Sequence, residues 1–167
     1  PTDPTDLVPM VETLAAEYSE QYPNADISIE CPETAPVQAG EQVRWALDNL
    51  VENAIVHAES DPVVQITVAH ETTAEDDQRS EWVTVTVADK GPGIPAGEVE
   101  VLHDDTNRTA TTHGSGLGLW IVNQIAQAYH GQLEIARNPS SEFSTEVYLR
   151  LQPKATGDSL PLTDTDG

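Results

Sequence analysis

The chain has 167 residues, with 29 acidic and 7 basic side chains and a formal net charge of −22. That length fits one domain with a single core, while the charge argues against nucleic acids, which are held by Lys and Arg on phosphates, and against contact with anionic membranes. No run approaches the ~20 apolar residues that cross a bilayer, no signal-peptide pattern opens the sequence, and the one cysteine, Cys31, excludes an internal disulfide and suits a reducing, cytoplasmic setting.

Residues 1–6 are a proline-punctuated polar stretch, expected to be a flexible lead. Over 7–22, Leu7, Val8, Val11, Leu14, Ala15 and Tyr18 recur at helical spacing, with Asp6 as N-cap and Pro23 as stop. A short alternating strand is predicted over 25–31, a loop over 32–40 and a strong helix over 41–58. Strands follow at 62–71 and 81–88, joined by a charged hairpin loop at 72–80. The turn-rich DKGPGIP leads to a short helix near 97–102, and residues 103–115 lack apolar periodicity. An apolar helix over 116–129 precedes strands at 132–136 and 145–151, and residues 153–167 read as a disordered tail. Strands and helices mix without regular alternation, which predicts a two-layer α/β sandwich over 7–152 rather than a doubly wound sheet.

Three readings fit the acidity. High charge can oppose collapse, but 38% hydrophobic content in periodic positions argues against global disorder. Acids can bind calcium, yet no D-x-[DN]-x-[DN]-G loop is present. The favoured reading is a salt-adapted surface, since lysine is scarce and acid is spread over every segment.

Chemistry concentrates in three places. In the helix over 41–58, Val43, Leu47, Leu50, Val51, Ala54 and Ala58 form an apolar stripe. Asn49 and Asn53 lie one turn apart at its edge, with His57 continuing the row. Such a row can contact a ligand lying along the helix, and an Asn oxygen can complete the octahedral shell of Mg²⁺; equally, these can be solvated flank residues. Asp89-Lys90-Gly91-Pro92-Gly93-Ile94 follows a strand, where an Asp can accept from an amino group and glycines admit a close ligand, or the segment is a plain turn. His113-Gly114-Ser115-Gly116-Leu117-Gly118 opens a helix whose bare N–H groups suit an anion. Its GxGxG spacing with no preceding strand fits neither a dinucleotide fingerprint nor a P-loop.

Taken in order, Asn-x3-Asn helix, strand-DxGxG, linker and GxGLGL-helix resemble the nucleotide-binding domain of sensor histidine kinases. That domain belongs to the superfamily shared with gyrase, Hsp90 and MutL-type ATPases. The resemblance spans roughly residues 7–151 and implies a Bergerat-type α/β fold with a mixed sheet, binding ATP and Mg²⁺. Leu47, Asn49, Leu50, Asn53 and Ala54 match the N box, so Asn53 corresponds to the Mg²⁺-coordinating Asn and Asn49 to a second cofactor-binding and catalytic position. Asp89, Gly91 and Gly93, with Ile94, resemble the G1 box, whose Asp receives the adenine amino group. Gly114, Gly116, Leu117 and Gly118 resemble the G2 box, which closes over the phosphates. His57 stands where an aromatic often stacks on adenine, Val56 where a basic residue is common, and Lys90 where Asn is usual. A recognisable F box is absent; residues 103–106 stand near its place. Arg108, Lys90 and Arg44 are the cations weighed against triphosphate charge, Arg108 foremost as a γ-phosphate contact and catalytic residue. Trp45, Trp82 and Trp120 read as core or interface aromatics.

Gyrase-like ATPases and anti-sigma-factor serine kinases carry Glu where this chain has Asn49. A neutral amide cannot take a proton from water or serine as a carboxylate does, whereas neutral imidazole near pH 7 is already nucleophilic. The resemblance therefore implies a histidine kinase whose acceptor His lies on a separate dimerisation domain, the phosphoryl group passing on to a response regulator. None of His57, His70, His103, His113 and His130 sits in an acceptor motif, so the chain is expected to be the catalytic part of a longer parent, membrane-anchored or not. A serine kinase of the anti-sigma type and a degenerate interaction module are the alternatives.

Overall fold

The computed structural model describes residues 4–56, 61–75, 77–90, 114–137 and 143–154. The elements run β1 (Thr5–Asp6), α1 (Leu7–Gln21), β2 (Asp26–Glu30), β3 (Pro36–Val37), α2 (Gln42–Val56), β4 (Val63–Glu75), β5 (Gln78–Asp89), α3 (Gly114–Ala128), β6 (Gln132–Arg137) and β7 (Thr145–Leu151). Five strands form one sheet in the order β2-β4-β5-β7-β6, with β2 and β4 parallel and the other neighbours antiparallel. The sheet is thus mixed, as expected, and the fold is a two-layer α/β sandwich.

Period-two alternation decides which face is covered. Val64, Ile66 and Val68 of β4, Val83, Val85 and Val87 of β5, and Val147, Leu149 and Leu151 of β7 point one way. They share a single buried cluster with Leu7, Val11 and Leu14 of α1, Leu47, Leu50 and Val51 of α2, and Leu119, Val122 and Ala126 of α3. All three helices therefore pack on the same side. Each such Val or Leu contributes roughly 1.5–3 kcal/mol by leaving water. The other face carries a polar network. Arg150 pairs with Glu71 at 3.0 Å and Glu134 at 2.6 Å, and Thr84 donates to Glu71 at 2.6 Å. Next to it Tyr148 donates to Glu146; burial first, and then that bond, push the phenol up to about 12.

Helix α1 starts where Asp6 accepts from Val8 N at 3.1 Å, an ordinary N-cap bond. Pro9 falls in the first turn, where its missing N–H costs nothing. At the far end of the helical layer, α3 turns into β6 through His130, in the left-handed region at φ 60°, and Gly131. A Cβ on Gly131 would lie 2.3 Å from the carbonyl oxygen of Arg150, so only glycine lets this turn lie against β7.

The structure corrects four expectations. The lead over 1–6 is not wholly flexible: Thr5–Asp6 pair with Val37 and Pro36 as β1, and Asp6 also accepts from Ala35 N at 2.9 Å. The 32–40 loop accordingly contains β3. The hairpin loop is not 72–80, because β4 and β5 stay paired out to Glu75–Gln78, leaving two residues between. Trp82 Nε1 donating to Thr73 Oγ1 at 3.2 Å ties the extended strands side to side. The tail does not begin at 153: Pro153 bridges Val37, and Lys154 N donates to Pro36 O at 3.0 Å. The short helix near 97–102, residues 103–113 and the tail beyond 154 lie outside the described residues.

Candidate functional site

The antiparallel packing of α2 and α3 builds the site. Gln42, at the start of α2, accepts from the Tyr129 hydroxyl just beyond α3, and Gln42 and Trp45 share a groove with Ile125, Ala128 and Tyr129. The start of α2 thus lies beside the end of α3, so the end of α2, carrying Asn53, runs toward the glycine-rich start of α3. Asn53 and Asn49 are both half-buried at the edge of the apolar stripe. Asn49 Nδ2 donates to Trp45 O at 2.8 Å, the i−4 back-bond of a helical polar side chain. This holds the carboxamide in one orientation and keeps Oδ1 as an acceptor. Glu52, by contrast, is exposed. Helix α2 is itself fastened to α1, where Tyr18 donates to the Asp48 carboxylate. Burial, followed by that bond, raises the Tyr18 pKa, so the phenol stays a neutral donor.

Asp89 closes β5. By alternation it follows Val83, Val85 and Val87 onto the helix-covered side, and it pairs with Val64 of β4 and Thr145 of β7. Its carbonyl accepts from Ser144 N at 2.8 Å, and the next amide, Lys90 N, donates to Val63 O at 3.3 Å. Asp89 is therefore tied to both neighbouring strands. Thr145, opposite it, is 0% exposed, and its Oγ1 is buried without a hydrogen-bond partner among the described residues. Residues paired across neighbouring strands present side chains to the same face, so a carboxylate and an orphaned hydroxyl converge at one sheet end, beneath the helical layer. Buried hydroxyls are normally bonded, and an orphan beside a carboxylate is a place made for a ligand with both donors and acceptors.

Thr145 was not singled out from the sequence, although its signal is there. In the row Thr145, Val147, Leu149, Leu151 it is the one polar member of an inward-facing set. Among the other candidates, Gly114, Gly116, Leu117 and Gly118 lie in the first turn and a half of α3, an arrangement that leaves N–H groups unpaired within the helix. His57, Gly91, Gly93, Ile94 and Arg108 lie outside the described residues. Arg44 is diverted from the site: its Nη2 pairs with Glu17 of α1 at 2.8 Å. Lys90 lies with its ammonium 5.9 Å from the centre of the Phe143 ring. Trp82 is buried on the far sheet face, whereas Trp45 is 63% exposed. Cys31 is half-buried, and desolvation, with Glu12 adding to it, raises its thiol pKa, the opposite of a reactive thiolate. No cluster of three or more His, Cys, Asp or Glu stands ready for a metal among the described residues. Any metal here would depend on oxygen from a ligand and water, with one or two protein donors, the usual habit of Mg²⁺.

Residues 38–155 match the family model described as histidine kinase-, DNA gyrase B-, and HSP90-like ATPase. The chain belongs to this family. It is similar to the adaptive-response sensory kinase SasA of Synechocystis sp., 31% identical over 148 residues that cover 83% of this chain and 36% of the relative. It is also similar to the signal transduction histidine-protein kinase BaeS of Escherichia coli (strain K12), 26% identical over 157 residues that cover 89% of this chain and 32% of the relative. The chain thus spans about a third of the length of these relatives. Among solved structures, the ATP binding domain of PrrB from Mycobacterium tuberculosis superposes with a TM-score of 0.67 at 25% identity, covering 91% of this chain and 97% of that one. Fold and sequence are those of the ATP-binding domain of a sensor histidine kinase.

Proposed function

We propose that the chain binds Mg²⁺·ATP and donates the γ-phosphoryl group to a histidine on a separate dimerisation domain of its parent, from which a response-regulator Asp receives it. The observation carrying this reading is the Asp89–Thr145 pair: an acceptor for the adenine amino group and an orphaned hydroxyl for a neighbouring ring or water position. The phosphates would then extend toward the start of α3 and its N–H groups. Asn53 supplies a hard oxygen for Mg²⁺, and Asn49 is the second carboxamide of the row; Mg²⁺ would neutralise phosphate charge. No carboxylate base is needed. As the acceptor nitrogen bonds to phosphorus, the bond to the β–γ bridging oxygen breaks and ADP leaves, a transfer governed by positioning and charge. Arg108 is proposed to meet the γ-phosphate.

The histidine-bearing domain is proposed to seat on the groove of about 400 Å³ lined by Trp45, Trp120, Ile121, Ile125 and Tyr129. Exposed apolar patches of this kind mark contact surfaces, and this one abuts the asparagine row, since Trp45 lies one turn before Asn49. No helix among the described residues is long and apolar enough to cross a membrane; a cytoplasmic location is proposed, with the acidic shell as adaptation to a salty cytoplasm.

The test is calorimetric titration of ATP in molar KCl. Asp89→Asn is expected to weaken binding at least about tenfold, a lost charge-assisted bond, and Asn53→Ala to weaken it only when Mg²⁺ is present. No saturable binding by the folded wild type would overturn the nucleotide reading. Given a histidine-bearing dimerisation domain, the phosphorylated product should be acid-labile; acid-stable phosphoserine would point instead to a serine kinase.

A further inference from the structure

The geometry points to Lys90 and Phe143 as a clamp that holds Asp89 and Thr145 at the spacing needed to read the base, which makes Lys90 a positioning residue for nucleotide recognition. The inference rests on the nucleotide reading of this site. Lys90 is one of only two lysines in the sequence, and Phe143 is its one phenylalanine. They flank the pair: Lys90 follows Asp89 at the end of β5, and Phe143 lies two residues before Thr145 at the entry to β7. The Lys90 ammonium is 5.9 Å from the ring centre, within cation–π range. The ring is only 9% exposed, so it offers a fixed platform, whereas Lys90 itself is exposed. Between the two side chains runs one backbone bond, Ser144 N to Asp89 O at 2.8 Å.

This bond lies at the open end of the sheet. Among the described residues, Asp89–Thr145 is the last rung of the β5–β7 ladder. A terminal rung frays most readily. Side-chain attraction directly outside it keeps the strand ends from separating, and with them the carboxylate and the hydroxyl. The ammonium is then engaged with the ring rather than with a phosphate.

The test compares ADP with inosine diphosphate, which lacks the purine amino group, on the full chain in one fixed salt. Wild type should prefer ADP. Lys90→Met keeps the length but loses the charge, and should reduce that preference about two- to fivefold, the range of an exposed cation–π contact. Lys90→Arg should restore it, and adding Lys90→Met to Phe143→Leu should cost nothing more than Phe143→Leu alone. A general loss of stability would leave the ratio of the two affinities unchanged. An equal loss for both nucleotides would show a phosphate contact and overturn the clamp, as would an unchanged preference. A wild type that binds nucleotide without preferring ADP, or binds none, removes the base-reading site itself and the clamp with it.

Discussion

A threonine hydroxyl with no partner at a fully buried position costs free energy that a valine of the same shape would not. The Thr145 hydroxyl, on a residue that is 0% exposed, has no hydrogen-bond partner among the described residues. Thr145→Val should therefore raise the stability of the ligand-free chain by about 1 kcal/mol while weakening ADP binding, so that denaturant midpoints and affinities move in opposite directions. Equal movement of both would mean that the hydroxyl is merely structural. At this scale the sequence nominates candidates where residue type and spacing coincide with a motif, as at Asn49, Asn53 and Asp89. It is silent where function depends on a cross-strand neighbour. Asp89 and Thr145 are far apart in the chain, and only the register of β5 against β7 brings them opposite each other. Arg44 fails for a related reason: it lies on the same helix as the asparagines, but a carboxylate on α1 claims it.

At the level of elements, the outer sheet face is held by a triad spanning three strands, Glu71 of β4, Arg150 of β7 and Glu134 of β6. The Thr84 hydrogen bond, and then Arg150, lower the Glu71 pKa. Folded Glu71 thus binds its proton less tightly than unfolded Glu71. Its contribution to stability is complete above the unfolded carboxyl range, near ~pH 5, and is lost as pH falls through the depressed folded value. Glu71→Gln should lower the urea midpoint at pH 7 and flatten its decline in acid; an acid limb identical to wild type would exclude the triad as a source of acid sensitivity. Long periodic elements were legible in advance. Helix α1 with its Asp6 cap and the alternating valines of β4 and β5 are dictated by local pattern. Strand β3 was not, because two residues carry no periodicity and pair only through their surroundings. The far end of the β4–β5 hairpin was hidden by its own charges, since Glu75, Asp77 and Arg79 resemble a loop until Trp82 and Thr73 are seen to bridge the strands.

For the whole molecule, the net charge of −22 first excluded polyanionic partners, yet the family binds a nucleotide. The two are compatible because the proposed binding groups are local: helix N–H groups and carboxamides, set within an acidic shell. The shell should repel itself once screening is withdrawn. Lowering KCl from ~2 M to ~0.1 M lengthens the screening distance from a few ångströms to about 10 Å. The thermal midpoint and ATP affinity are both expected to fall over that range, as followed by circular dichroism and calorimetry; indifference to salt would undo the reading of the acidity as adaptation.

The small ribbon at the chain's two ends has a mechanical consequence. Strand β3 is gripped on one side by β1 and on the other by residues 152–154, both antiparallel to it, so the two outer segments run parallel to each other. Tension on a peptide entering before β1 and leaving after Lys154 pulls these segments in opposite directions along their length. The hydrogen bonds to β3 are then loaded together in shear rather than opened one at a time. Strain from neighbouring parts of a longer chain would be borne by this ribbon before it reached the sheet end that holds Asp89 and Thr145.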